Sequence, residues 1–314
     1  MAETILVSRE LPLPTIEIGG EPVEFRVDTG GELEEGPRVY LTTALDYTDA
    51  AKIARLPSTI GLIASLGVGV EKIDFAAAHA RAIQVCNTPT VTEDTADLAF
   101  SLILAASRRL GANERFVRSG QWSDDQYFGV MGTRVHAKTL GLVGLGAIGQ
   151  AVARRARGFD MDILYWNRSA KPDLEAELGL TRIDSLEALV ARADIVSLHT
   201  ALTPQTKHLI NAALLAQFKP GAVLVNTGRG GLVDETALVE ALNTGQLGAA
   251  GLDVFAEEPA VPSALLAYET AVLTPHMGSL TLESRIDFVT QGFANIRQFL
   301  QTGTAFNVVR SAIG

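Results

Sequence analysis

The run Gly144-Leu145-Gly146-Ala147-Ile148-Gly149 constrains the fold of this chain more than any other stretch. A G-x-G-x-x-G pattern is weak by itself in a chain with 29 glycines, but this one follows an apolar run at 139–143 and opens a helical pattern over 147–159. In that setting the first glycine permits a tight turn, the second lets backbone approach a pyrophosphate, and the third packs helix against strand. The helix N-terminus adds free N–H groups and partial positive charge. Residues 144–149 are therefore the candidate loop for the phosphates of a dinucleotide.

The rest of the chain alternates short apolar runs with longer helical patterns, which predicts parallel sheets covered by helices. Strands are expected at 139–143, 162–166, 194–198, 222–226, 249–253 and 271–274, with helices at 234–243 and 280–302. Residues near 100–280 thus read as a doubly wound α/β sheet. Ahead of them, strands at 59–65 and 82–86 flank a helix at 70–81, giving a smaller α/β unit. A long apolar helix follows at 92–110, with Thr92 as its expected N-cap, and 119–138 reads as irregular and polar. A length of 314 residues suits two cores. The expected division is 1–93 with 286–314 as one domain and 94–285 as the other.

Composition narrows the classes. The net charge is −10, from 26 basic and 36 acidic residues, which argues against a nucleic-acid partner. The acidity is uneven, because residues 1–40 hold nine acids against three arginines. A single cysteine, Cys86, allows no intrachain disulfide and fits a reducing compartment. The opening Met-Ala-Glu-Thr lacks the basic and apolar regions of a signal peptide. The longest apolar run, 98–106, is broken by Ser101 and falls far short of a membrane span. A cytoplasmic protein without a membrane partner is expected, and no residues are assigned to a metal.

A unit that binds NAD(H) should carry an acid about 20 residues after the glycine loop, for the ribose hydroxyls. Here the strand ends Tyr165-Trp166-Asn167-Arg168-Ser169, with Asn167 standing 23 residues after Gly144 where the acid would be. Arg168 and Ser169 suit a 2′-phosphate, as a charged and a neutral donor. NADP(H) is the expected preference, with NAD(H) as the alternative.

Three further segments place ionisable residues at or beyond expected C-terminal strand ends, the edge where open α/β sheets bind ligands. They are Asn226-Thr227-Gly228-Arg229-Gly230-Gly231, Gly251-Leu252-Asp253-Val254-Phe255-Ala256-Glu257-Glu258-Pro259, and Leu273-Thr274-Pro275-His276-Met277-Gly278-Ser279. Each ionisable residue taken singly could be a solvated turn residue. Together they bring a guanidinium, carboxylates and an imidazole to one expected edge of the sheet.

With these segments, Ser65-Leu66-Gly67-Val68-Gly69-Val70-Glu71-Lys72-Ile73-Asp74 and Asn87-Thr88-Pro89, nearly the whole chain resembles the D-isomer-specific 2-hydroxyacid dehydrogenase family. The segment 165–169 and the Val-Thr-Glu-Asp run at 91–94 most resemble its glyoxylate/hydroxypyruvate and hydroxyphenylpyruvate reductase branch, which often uses NADPH. The resemblance implies a Rossmann coenzyme domain with a smaller, flavodoxin-like substrate domain, to which the C-terminal tail returns. It implies an Arg229–Glu258–His276 trio, with His276 as acid/base, Glu258 as its partner and Arg229 as substrate clamp. It implies that the Val68 and Gly69 amides bind the substrate carboxylate beside Leu66. Cofactor contacts are expected from Thr95, Thr200, Thr206, Thr227, Gly228, Asp253 and Gly278, besides Arg229 and His276 themselves. Expected partners are a small 2-keto acid and a second copy of the chain, through helix 92–110 and the arm after it. A nucleotide-sensing module resembling the corepressors of this fold is the alternative to an enzyme.

Overall fold

A computed structural model describes residues 3–311. The chain forms two compact units, Met1–Val91 with Thr281–Gly314, and Thr92–Leu280. These divisions fall a few residues from the expected boundaries at 93 and 286.

In the first unit the strands are β1 (Thr4–Val7), β2 (Glu17–Ile18), β3 (Glu21–Pro22), β4 (Glu24–Val27) and β5 (Val39–Thr43). Helix α1 (Ala50–Arg55), β6 (Leu62–Leu66), α2 (Phe75–Ala80) and β7 (Gln84–Cys86) follow. The second unit opens with α3 (Thr92–Ser107) and α4 (Leu110–Arg118), then runs β8 (Thr139–Val143), α5 (Ala147–Arg157), β9 (Asp162–Trp166), α6 (Pro172–Leu178) and β10 (Leu180–Arg182). It continues through α7 (Leu186–Arg192), β11 (Ile195–Leu198), α8 (Ala212–Leu215), β12 (Ala222–Asn226), α9 (Glu235–Asn243), β13 (Leu247–Leu252), α10 (Ser263–Leu266) and β14 (Ala271–Leu273). Helix α11 (Leu282–Thr302) and β15 (Val308–Val309) return to the first unit.

The second unit's sheet runs β10-β9-β8-β11-β12-β13-β14, with every pairing parallel. Counted from its own first strand this is the Rossmann order with one strand added. The order reverses between β8 and β11, so a crevice is expected beyond Val143 and Leu198. The period of two along each strand builds a core on both faces. Leu224 joins the cluster with Leu189, Val196 and Leu238, while its neighbours Val223 and Val225 join the one with Ile103, Leu142 and Val152.

The first unit's sheet runs β15-β7-β6-β5-β1-β4, parallel except for β15. Without β15 its order is that of flavodoxin. Leu62 and Ala64 face one core with Phe293, Ile296 and Phe299, and Ile63 faces the other with Tyr40 and Ile53. A Cβ on Gly61 would stand 2.8 Å from the Phe299 ring, so α11 lies close on this strand.

Several sequence expectations are corrected. The helix expected at 70–81 is only Phe75–Ala80, because the Asp74 side chain accepts from the Ala77 amide and starts it there. The strand expected at 59–65 begins at Leu62. The helix expected to reach residue 110 stops at Ser107, where the chain passes through Arg109 at φ 55° and restarts as α4. The helix expected from residue 280 starts at Leu282, with the Thr281 hydroxyl capping the Ser284 amide. No helix among the described residues is long and apolar enough to cross a membrane.

Candidate active site

The glycine loop leaves β8 at the reversal point of the second sheet. Gly144 takes φ 97°, and a Cβ there would sit 2.5 Å from the His199 carbonyl oxygen, so β11 closes one side of the turn. A Cβ on Gly149 would meet the Gly144 carbonyl oxygen at 2.5 Å, which is the close packing the third glycine exists to allow. Gly146 differs, with nothing within 4 Å of its notional Cβ. It precedes α5, whose N-terminus has no side-chain cap. An uncapped helix start behind an open glycine fits a pyrophosphate. Leu145 is buried, and Ala147 and Ile148 lie in the first turn.

Asn167 links this loop to the end of β9. Its Oδ1 accepts from the Leu145 amide at 3.4 Å, and its Nδ2 donates to the Ser169 carbonyl at 3.0 Å. Arg168 and Ser169 are exposed, and Arg168 engages no other described residue. Thr200 follows His199, and its amide nitrogen stands 3.0 Å from the notional Cβ of Gly144. Thr206 spends its hydroxyl within its own loop, donating to the Ala201 carbonyl and accepting from the Thr203 amide, both at 2.7 Å.

The trio comes from three successive strand ends. After β12, the buried Asn226 side chain staples the loop that carries Arg229. Its Nδ2 donates to the Arg229 carbonyl at 2.9 Å and its Oδ1 accepts from the Gly228 amide at 3.0 Å. A Cβ on Gly230 would lie 1.9 Å from the Phe255 carbonyl carbon, so this loop is seated directly on the one after β13. The Thr227 hydroxyl is buried and has no hydrogen-bond partner among the described residues. An orphaned buried hydroxyl beside this loop fits a bound group that the chain does not itself supply.

After β14 the chain turns sharply, with His276 at φ 51°. Asp253, only 1% exposed, holds that turn. Its Oδ1 accepts from the Thr274 hydroxyl at 2.6 Å and the Met277 amide at 2.8 Å, and its Oδ2 accepts from the Gly278 amide at 2.9 Å. Its backbone carbonyl takes the His276 amide at 2.9 Å. Burial pushes the Asp253 carboxyl up, and these hydrogen bonds only partly offset the effect. Gly278 also faces Thr95 on α3, since its notional Cβ lies 3.4 Å from the threonine hydroxyl.

His276 Nδ1 stands 2.7 Å from Glu258 Oε2, and the other carboxylate oxygen accepts from the Phe255 amide at 3.0 Å. Burial pushes the Glu258 carboxyl up, but the hydrogen bonds from His276 and Phe255 and the positive charges of His276 and Arg229 outweigh it, leaving it low. Nε2 of His276 has no partner among the described residues. The arrangement can therefore hold an imidazole by one nitrogen and offer the other to a reacting oxygen.

In the first unit, the loop after β6 turns at Gly67, φ 134°, whose amide donates to the Thr88 hydroxyl at 2.7 Å. Val68 is exposed, Gly69 is buried, and Asn87 Nδ2 donates to the Val68 carbonyl at 2.8 Å. Leu66 packs against Gly292 of α11. Asn226, Thr274 and Thr88 shape these loops, a part that the sequence does not announce. Their signal, small polar residues beside glycine or proline at strand ends, is common to most turns. Among the described residues no cluster of His, Cys, Asp and Glu is arranged to hold a metal ion.

Residues 100–278 match the family described as "D-isomer specific 2-hydroxyacid dehydrogenase, NAD binding domain". A glyoxylate reductase of Pyrococcus horikoshii is 40% identical over 304 residues, covering 91% of this chain and 89% of its own. The chain belongs to the D-isomer-specific 2-hydroxyacid dehydrogenase family. Another member, a glyoxylate reductase of Thermococcus litoralis, is 44% identical over 250 residues, which are 78% of this chain and 75% of its own. Among solved structures of the family, the NADPH-dependent glyoxylate/hydroxypyruvate reductase of Sinorhizobium meliloti in complex with NADP and malonate superposes with a TM-score of 0.87. It is 30% identical and covers 100% of this chain and 98% of its own. The dehydrogenase fold expected from the sequence is thus the one observed.

Proposed function

We propose that this dehydrogenase reduces small 2-keto acids of the glyoxylate and hydroxypyruvate type to D-2-hydroxy acids, with NADPH favoured over NADH. The 2.7 Å contact between His276 Nδ1 and Glu258, with Nε2 left to the substrate, carries the reading. When bound, the nicotinamide supplies the hydride. The glycine loop from Gly144 to Gly149 would hold its pyrophosphate, with Thr95, Thr200, Thr206, Thr227, Gly228, Asp253 and Gly278 around the rest. Asn167, Arg168 and Ser169 would face the 2′-phosphate.

His276 gives its Nε2 proton to the carbonyl oxygen as that oxygen gains charge. Glu258 accepts from Nδ1, which fixes the ring's orientation with Nε2 toward the substrate. Arg229 pairs with the substrate's carboxylate and polarises its carbonyl. The Val68 and Gly69 amides are the second proposed carboxylate donors, on the first unit.

The test is kcat/KM for NADPH and NADH with glyoxylate, hydroxypyruvate, phenylpyruvate and 2-ketogluconate side by side. His276→Ala should lower kcat by about 10²- to 10⁴-fold, and wild-type turnover in that variant overturns the assignment. A clear NADH preference removes the NADP(H) reading. Absence of turnover with every acid would favour a corepressor-like binding module. We also propose a homodimer, because Trp122, Tyr127, Phe128 and Met131 crowd the arm after α4 while remaining more than half exposed. Light scattering should give twice the mass of 33.3 kDa.

A further inference from the structure

The proposed preference for NADPH depends on where the segment 167–171 carries Arg168 and Ser169. Asn167 fixes its start against the glycine loop. Its other end is held by a side chain from inside the sheet. Tyr165 on β9 is completely buried, yet its hydroxyl receives the Lys171 amide at 3.0 Å and donates to the Glu175 carboxylate on α6. Lys171 precedes α6, which has no side-chain cap of its own, so the phenol satisfies a backbone donor that would otherwise lack a partner. Burial and the bond to Glu175 push the phenol's pKa up, so it remains a neutral donor throughout the working pH range.

Arg168, Ser169 and Ala170 therefore lie exposed on a short loop anchored at both ends. An anchored loop loses less conformational freedom when its arginine closes on an anion than a free one does. We infer that Tyr165, braced by Glu175, is a positioning residue for cofactor discrimination, setting the loop that presents Arg168 and Ser169 to the 2′-phosphate of NADPH. This rests on the proposed NADP(H) preference.

The experiment compares wild type, Tyr165→Phe, Glu175→Ala, Arg168→Ala and the double variant Tyr165→Phe/Arg168→Ala, each with NADPH and NADH at saturating keto acid. Tyr165→Phe keeps the buried ring and removes one hydroxyl. Loss of its hydrogen bonds should raise KM for NADPH about two- to tenfold, with kcat and the KM for NADH unmoved. Glu175→Ala removes the brace from the helix side and should act in the same direction, which keeps the test open if the buried substitution fails to fold. In the Arg168→Ala background Tyr165→Phe should have a smaller further effect on NADPH, acting through Ser169 alone. Equal KM changes for both cofactors, or additive losses in the double variant, would mean general structural support and overturn the inference. A wild-type NADPH preference that Arg168→Ala abolishes but neither Tyr165→Phe nor Glu175→Ala alters sinks the positioning role alone. A wild type without the preference sinks the NADP(H) reading, and the inference with it.

Discussion

Acid should loosen the second unit through one histidine that plays no part in the proposed chemistry. His199 follows β11 at the reversal point of the sheet, where its carbonyl oxygen closes the turn at Gly144. Its amide donates to the Val143 carbonyl at 2.8 Å and its Nε2 lies 2.9 Å from the hydroxyl of buried Ser197. Burial drives its pKa from an ordinary 6.5 to about 4. The unfolded chain therefore takes up a proton near 6.5 while the folded one refuses it until about 4. Stability is full above the first value and falls as pH drops between the two. The gap corresponds to at most about 3 kcal/mol, of which about 2 kcal/mol is lost by pH 5. Asp194 and Glu258 are held low, so their stabilising contributions begin to fade only below the ordinary values of 3.8 and 4.5 and are intact across pH 5 to 8. Both tryptophans, Trp122 and Trp166, lie in the second unit, so their fluorescence reports its unfolding. Urea titrations of wild type and His199→Gln at pH 5, 6, 7 and 8 should show wild type losing about 2 kcal/mol relative to the variant between pH 8 and pH 5. A difference that stays constant across those pH values refutes the argument.

Two glycines should respond in opposite ways. Gly230→Ala forces a methyl group onto the Phe255 backbone, 1.9 Å away, and should destabilise the second unit by about 3 kcal/mol in the same urea assay, with activity falling as Arg229 is displaced. Gly146→Ala meets no neighbour within 4 Å, so stability should hold while the KM for cofactor rises, as measured by initial rates. Glu258→Gln removes the charge that holds His276 and should lower kcat by about 10²- to 10⁴-fold. In wild type, kcat/KM should not fall through protonation of Glu258 until the pH is below the ordinary carboxylate range, because His276, Phe255 and Arg229 keep that carboxylate ionised.

The parts legible in the sequence are those dictated by short-range sterics. The glycine loop can be read because a left-handed turn, a close backbone approach and a helix start fall within six residues. The alternation at β12 is likewise local. Strands β1 and β5 leave no such local signal, although Ile5, Leu6, Tyr40 and Leu41 are fully buried or nearly so. They are short runs in an acid-rich stretch, and only pairing with each other and with β6 makes strands of them. The site was legible as an inventory of chemistry but not as a geometry. Nothing near Asp253 in the sequence shows that both its oxygens are committed to Thr274, Met277 and Gly278, more than twenty residues away. Tyr165 stands in the sequence only as the start of a strand-end run, because the bonds that distinguish it depend on where α6 begins.

The order of synthesis bears on the first unit, whose two pieces are separated by the whole of 92–280. Asn295 on α11 donates to the Asn87 carbonyl, and β15 pairs along β7, so the sheet of Met1–Val91 lacks a helix and an edge strand until the last residues emerge. At ribosomal rates of about 5–20 residues per second that wait lasts roughly ten to forty seconds. The second unit is continuous and can finish first. During the interval the apolar face that Phe293, Ile296 and Phe299 will cover remains open, as does the edge of β7. A nascent chain that has emerged as far as residue 280 would thus carry a completed coenzyme unit and a half-built sheet, and that chain is where chaperone dependence should concentrate.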